Sequence, residues 1–276
     1  MKKRFNRVVA ATGLLAFAGL LQAENIQGRL SAGDMDKFLK SARIVTTKEL
    51  SEGVTNSRRG TLSDGSMTHD AHIQTIHEFK PVYQTPRGAE LNFMDSWKFN
   101  VAGYILDRML DIGMIPMSVE RKVGGSSGSV TWWVDDVLMT EKQRFTQNTQ
   151  PPDPDKWSRQ VNIVRVFDEL IFNTDRNLGN LVITKGWDIW MIDHTRGFRT
   201  SKTLRTPENL VKCDRYLLTK LKELNKAELN ARLKGYLNGM QVDGLLARRD
   251  LIVQFFEKEA AAKGEDAVYY EYLPRK

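Results

Sequence analysis

The stretch 172–183, Phe-Asn-Thr-Asp-Arg-Asn-Leu-Gly-Asn-Leu-Val-Ile, constrains this chain more than any other, together with Trp190-Met-Ile-Asp-His194 just after it. Leu181-Val-Ile183 and Trp190-Met-Ile192 are short apolar runs of strand-forming residues, and Thr184-Lys-Gly-Trp-Asp188 between them carries turn chemistry. The spacing predicts a loop, a strand, a turn and a second strand. Such a hairpin carries Asp175, Asn180 and Asp193 at its ends. Two carboxylates and one carboxamide converging there suit a magnesium-nucleotide phosphoryl-transfer site. One acid orients the attacking oxygen, while the other acid and the amide hold metal ions against phosphates. The plainer reading is that Asp175 and Asn180 only cap a turn, since both residue types bond locally to the backbone.

The flanking segments fall into two kinds. Residues 160–172 place Val161, Val164, Phe167, Leu170 and Ile171 at helical spacing, a helix leading straight into the loop. Beyond Arg199 the segments 207–224, 226–237 and 242–263 also read as helices. The first half is β-rich, with strands expected at 43–48, 60–62 and 71–76. A helix is expected at 32–42 and an irregular connection at 81–93. A second helix is expected at 95–110, capped by Asp95 or Ser96. Strands at 115–122 and 129–134 form a hairpin-like pair joined by 123–128. The proline-rich stretch 147–155 reads as a linker. With 276 residues, 41% hydrophobic and 27% charged, the chain suffices for two lobes around one cleft.

The first residues stand apart. Lys2, Lys3, Arg4 and Arg7 form a basic start, residues 8–21 are apolar, and Ala23 offers a small residue before Glu24. This is the pattern of a secretory signal peptide over 1–23, too short for a comfortable membrane span. Leu21 departs from the usual small residue two positions before Ala23, which keeps an uncleaved anchor open. Removing this acid-free segment lowers the formal charge by its four basic residues, from +7 to +3. Net charge is therefore a poor argument for nucleic-acid binding, and no basic run with interleaved aromatics appears. Cys213 is the only cysteine, which excludes an internal disulfide and a thiolate zinc site. His69, His72 and His77 lie close in sequence, but on one strand His69 and His72 point to opposite faces.

Asp-x4-Asn, then an Asp at a hairpin's distance, is the order of the catalytic loop and metal-binding Asp in protein kinases. The Asp-Arg-Asn form, with Ile-Asp-His after it, resembles the catalytic segment of phosphatidylinositol 3- and 4-kinase-type enzymes and of bacterial HipA-like kinases. The resemblance spans residues 166–199. It implies an α+β, two-lobed kinase-like fold, with a small β-rich N-terminal lobe at 24–146 and a mainly helical C-terminal lobe at 147–276. It further implies Asp175 as the catalytic acid, Asn180 and Asp193 as ligands of Mg2+ or Mn2+, and ATP or another nucleotide as co-substrate.

In the same scheme the loop 52–61 faces the phosphates. Gly53 and Gly60 bound that loop, and Arg58 and Arg59 supply positive charge. The backbone at Val134, in the segment 133–136, would meet an adenine. Two departures are evident. A kinase small lobe places a lysine on a strand after the glycine loop, paired with a glutamate on the next helix. Here Gln74 stands where the lysine is expected and Asn100 where the glutamate is expected. Losing both together is coherent, because either charge left alone is costly. The phosphates then lack their usual cation, for which Lys80, Arg58, Arg59 and Lys98 are the neighbouring candidates.

The expectation is an exported, secreted or periplasmic kinase-like protein. It binds a metal-nucleotide and transfers phosphate to a protein or small-molecule hydroxyl. A catalytically inactive binding module on the same fold is the alternative. Nucleotide and an unidentified acceptor are the expected partners, with no nucleic acid and no membrane after signal cleavage.

Overall fold

The computed structural model describes residues 30–50, 57–85 and 88–275. Helix α1 (Ala32–Ser41) opens it, capped by the Ser31 hydroxyl, which accepts from the Asp34 N–H at 3.1 Å. Strands β1 (Arg43–Glu49), β2 (Arg58–Ser63) and β3 (Thr68–Gln74) follow. A long hairpin of β4 (His77–Thr85) and β5 (Gly88–Ser96) comes next, then helix α2 (Lys98–Met109) and strands β6 (Ser118–Val123) and β7 (Ser126–Trp132). One antiparallel sheet runs in the order β1-β2-β3-β7-β6. Along β3, Ala71 and Ile73 are fully buried against Leu62, Val130, Trp132 and the α1 residues Phe38 and Leu39. By the two-residue strand period the alternate row, Asp70, His72 and Gln74, faces the other way. That row is the one presented to α2 and the catalytic-like hairpin.

The chain then passes through 133–136 into β8 (Val137–Thr140) and α3 (Glu141–Thr146). Helix α4 (Pro154–Ile171) starts with Pro154 in its first turn and with the Asp153 carboxylate accepting from the Lys156 N–H at 2.9 Å. Strands β9 (Leu181–Thr184) and β10 (Ile189–Met191) form the predicted hairpin, and β8 adds to the free edge of β9. Helices α5 (Arg215–Glu223), α6 (Lys226–Arg232) and α7 (Gly239–Lys263) follow, and a short helix at Glu265–Val268 leads into Tyr269–Tyr270, which pairs in parallel with Cys213–Asp214. A second, larger core forms around α2, α4, β10 and α5 to α7, with Phe99, Leu106, Phe167, Leu170, Met191, Leu217, Leu245 and Phe256 all inaccessible to solvent. The α+β class with a β-rich first part and a helical last part is as the sequence implies.

Several local expectations are corrected. The segment 81–93 is not irregular: it pairs His77↔Ser96 through Thr85↔Gly88 in one hairpin. Pro81 and Asn92, the latter at φ 53°, fall where the ladder skips one pair without changing register, and both are residue types depleted from strands, which hides the hairpin in the sequence. Asp95 and Ser96 therefore end β5, and α2 begins three residues later than predicted, after Trp97. The 123–128 connection is shorter than expected. Gly124 and Gly125, both at positive φ, close a two-residue turn, and β7 already starts at Ser126. Helix α4 starts at Pro154, inside the expected linker, because proline is well tolerated at a helix start. The expected long helix at 207–224 is a single 3-10 turn at Pro207–Asn209, an extended stretch and then α5.

Candidate active site

The loop that carries Asp175 is built by the end of α4. Phe172 caps the helix in the left-handed region at φ 52°, turning the chain sharply. The Asn173 side chain then accepts from the Asp175 N–H at 3.0 Å and donates to Asp168 at 3.1 Å, which sets the Asp175 backbone. Arg176 is the fastener. Its guanidinium donates to Asp168 at 2.9 Å and to the backbone carbonyls of Asn180 and Ile192 at 3.2 and 2.7 Å. One side chain thus ties the loop, the start of β9 and the residue before Asp193.

Asn180 and Asp193 are adjacent across the hairpin mouth, since the Ile192 N–H donates to the Asn180 carbonyl at 3.0 Å. The Asn180 amide nitrogen donates to the Asp175 carbonyl at 3.3 Å. Its side-chain oxygen is thereby turned away from that carbonyl. Asp193 sits at φ 52°, a conformation that Asp adopts more readily than most residues. Its Oδ1 accepts from the Thr195 hydroxyl at 3.0 Å. Asp175 is half-exposed and lies 3.7 Å from Arg196. Burial raises the Asp175 pKa above the usual carboxylate range. Arg196 opposes that shift, and the Asp193 charge adds to it. Asp175 and Asp193 thus share one electrostatic environment.

The segment after Asp193 is strapped to its surroundings. The Ser96 N–H donates to the Thr195 carbonyl at 2.9 Å, and the Thr174 N–H donates to the Arg196 carbonyl at 3.2 Å. His194 points inward, 1% exposed, with its ring edge-on to Phe167. Burial holds its pKa well below the usual histidine value, and Arg176 pushes the same way, so it is a neutral packing residue. Its backbone N–H donates to the Asn100 side chain at 2.8 Å.

The two departures from the kinase pattern meet in space. The Asn100 amide donates to Gln74 Oε1 at 2.8 Å and to the Ser129 hydroxyl at 3.2 Å, while its oxygen takes the His194 N–H. Gln74 and Asn100 are both buried. A neutral amide clamp joins β3 and α2 where an ion pair was expected, and it extends to the residue next to Asp193.

The remaining nucleotide-side candidates are spread along the sheet and the crossover. Gly53 lies outside the described residues. Gly60 is inside β2, and a Cβ there would come within 2.5 Å of the Ile73 side chain, so its lack of a side chain serves sheet packing. Arg58 is half-buried at the start of β2. Arg59 pairs with Asp70 at 2.7 Å and stacks 4.3 Å over the Trp133 ring. It therefore braces the 133–136 segment. Val134 is buried in that segment. His69, stacked on Trp132, bonds Asp135 at 2.8 Å, while His77 bonds the Ser96 hydroxyl. The three early histidines therefore do not converge. Among the described residues no three His, Cys, Asp or Glu side chains form a metal cage of their own.

Sequence reasoning missed several charged residues around Asp193. Glu90 forms an ion pair with Arg199 at 2.6 Å and accepts a hydrogen bond from Arg196 at 3.1 Å, and both guanidinium groups lie over Phe93. Asp95, buried at the end of β5, faces Thr195, Asp193 and Arg196. His72 on β3 feels the Asp193 charge. Glu90 and Asp95 belong to the β4–β5 hairpin, neither strand of which the sequence reading expected, and a residue read as a helix cap gives no local signal of a site.

This constellation sits on an atypical kinase-like fold. A hydra Fam20 structure solved with sugar matches with a TM-score of 0.63 at 16% identity, over 86% of this chain and 91% of that one. The Golgi casein kinase with Mn/ADP bound matches with a TM-score of 0.63 at 12% identity, over 87% of this chain and 80% of that one. A further crystal structure of the Golgi casein kinase gives 0.60 at 12% identity. No protein-family model and no curated protein sequence matches the chain. At these identities the likeness is one of fold, and the kinase-like expectation for the fold is met.

Proposed function

We propose that this protein is an exported phosphotransferase of the atypical kinase type, acting on a protein or small-molecule hydroxyl. The observation that carries the reading is the convergence of Asp175, Asn180 and Asp193 on one hairpin mouth, with the two carboxylates electrostatically coupled. The donor set is oxygen only, which fits a hard divalent cation such as Mg2+ or Mn2+. Bound there with ATP, such an ion supplies charge neutralisation at the phosphates. Asn180 and Asp193 would hold it. Asp175 accepts or orients the proton of the attacking hydroxyl, a task that a carboxyl with a raised pKa performs better than an ordinary Asp. Arg176 fixes the spacing of the three by bonding the backbone on both sides. Arg58 and the Val134 backbone are the proposed phosphate-side and adenine-side contacts, with Arg59 bracing the latter.

The Gln74–Asn100 clamp favours a second reading, a binding module that retains the nucleotide but not the chemistry. An amide pair positions α2 without presenting a cation to phosphate. The two readings separate on one set of proteins. In thermal unfolding with ATP and Mg2+ or Mn2+, a ligand at about a hundred times its Kd adds roughly 2.7 kcal/mol, several degrees for this size. The shift is expected in wild type and Asp175→Asn and is lost in Asp193→Ala. An unchanged shift in Asp193→Ala would overturn the site. Phosphoryl transfer by wild type that Asp175→Asn abolishes supports the enzyme, whereas binding without transfer to any hydroxyl acceptor leaves the module.

A further inference from the structure

Asp95 has no evident structural job. It pairs in register with Glu78 on the hairpin, yet its side chain turns inward and is only 5% exposed. It does not cap α2: the Lys98 N–H at the start of that helix is taken by the Ser96 hydroxyl at 3.3 Å. One of its oxygens, Oδ1, has no hydrogen-bond partner. A buried carboxylate oxygen left unpaired costs free energy, and a charged one costs more than a neutral one. The surroundings add to the cost. The Thr195 hydroxyl is the polar group that faces Asp95, and it has a single hydrogen, which it already donates to Asp193 at 3.0 Å. Arg196 lies near but is engaged by Glu90 at 3.1 Å and by Asp175, and Arg199 is engaged by Glu90 at 2.6 Å. Two carboxylates, Asp95 and Asp193, therefore flank one hydroxyl with too few protons between them.

A divalent cation between two such carboxylates removes the conflict. Resting on the metal-nucleotide reading above, we propose that Asp95 is an additional ligand of the catalytic cation, together with Asp193. Asp95 thereby supplies from β5 the acidic group that α2 lacks at Asn100. Two protein carboxylates with nucleotide phosphates completing the shell is the usual economy of a magnesium or manganese site. It also agrees with the lack of a full side-chain cage among the described residues. The position is fixed for this purpose. The Ser96 N–H bonds the Thr195 carbonyl and the Trp97 N–H bonds the Ile76 carbonyl, so the end of β5 is held against the segment after Asp193.

The test is Mn2+ binding by electron paramagnetic resonance, with ADP present, on wild type, Asp95→Asn and Asp193→Asn, alongside urea unfolding without metal. Asp95→Asn keeps the shape and removes the charge. It should weaken Mn2+ binding by about tenfold or more and leave metal-free stability unchanged or raised. Equal Mn2+ affinity in wild type and Asp95→Asn would overturn the assignment while leaving the Asp193 site standing. A fall in metal-free stability with unchanged Mn2+ affinity, or failure of Asp95→Asn to fold, would make Asp95 structural and also overturn it. Absence of any ADP-dependent Mn2+ binding in wild type would remove the underlying reading, and this proposal with it.

Discussion

Asn100→Ala probes the amide clamp, and its cost can be worked from the bonds it removes. Asn100 is 4% exposed and makes three hydrogen bonds, to Gln74 Oε1 at 2.8 Å, to the Ser129 hydroxyl at 3.2 Å and from the His194 N–H at 2.8 Å. Each contributes about 1 kcal/mol net, and a buried group left without a partner costs a further 1–3 kcal/mol or so. The His194 N–H is the group least able to find water, because the residue is 1% exposed. The sum is roughly 4 kcal/mol. At about 2–4 °C per kcal/mol for a protein of this size, the melting temperature falls by roughly 10 °C. Urea unfolding followed by circular dichroism measures it, with the midpoint moving and the slope unchanged. Asn100→Asp keeps the acceptor for His194 but loses both donations and places a negative charge near Asp193, so it should also destabilise. A loss under about 1 kcal/mol for Asn100→Ala would refute the claim that this clamp joins β3, α2 and the Asp193 segment.

Two further outcomes follow from local geometry. In Gly128→Ala, the added Cβ would lie 2.6 Å from the Gln74 carbonyl oxygen and 2.8 Å from Thr75. Overpacking against backbone cannot relax cheaply, so a loss of about 1–3 kcal/mol is expected in the same urea assay. His194 gives a pH signature. Its folded pKa is depressed, so the unfolded chain binds the extra proton first and stability is lost as pH falls through the unfolded value of about 6.5. The urea midpoint should drop more between pH 7.5 and 5.5 for wild type than for His194→Leu. Equal drops would mean that His194 titrates normally in the folded protein.

The catalytic-like hairpin was legible because its information is local. Leu181-Val-Ile183 and Trp190-Met-Ile192 are apolar runs separated by a turn, and they pair in the structure as Ile183↔Ile189 and Leu181↔Met191. Asp175, Asn180 and Asp193 share that hairpin, so one strand register brings Asn180 beside Asp193. Gln74 and Asn100 were also legible, since the kinase pattern singled out both positions, and they touch. What sequence by itself determined, then, is the class of fold and the residues that one hairpin or one pattern binds together. Tertiary structure decided the rest. Asp95 looks like a helix cap in sequence, and only the β4–β5 pairing carries it to Thr195. Glu90 and Arg199 are 109 positions apart and meet through packing of that hairpin on the segment after Asp193. Gly60 reads as a loop glycine until Ile73 of the neighbouring strand is seen to fill its space. Side-chain alternation and turn chemistry act over a few residues, whereas burial of a charge depends on which distant elements close over it.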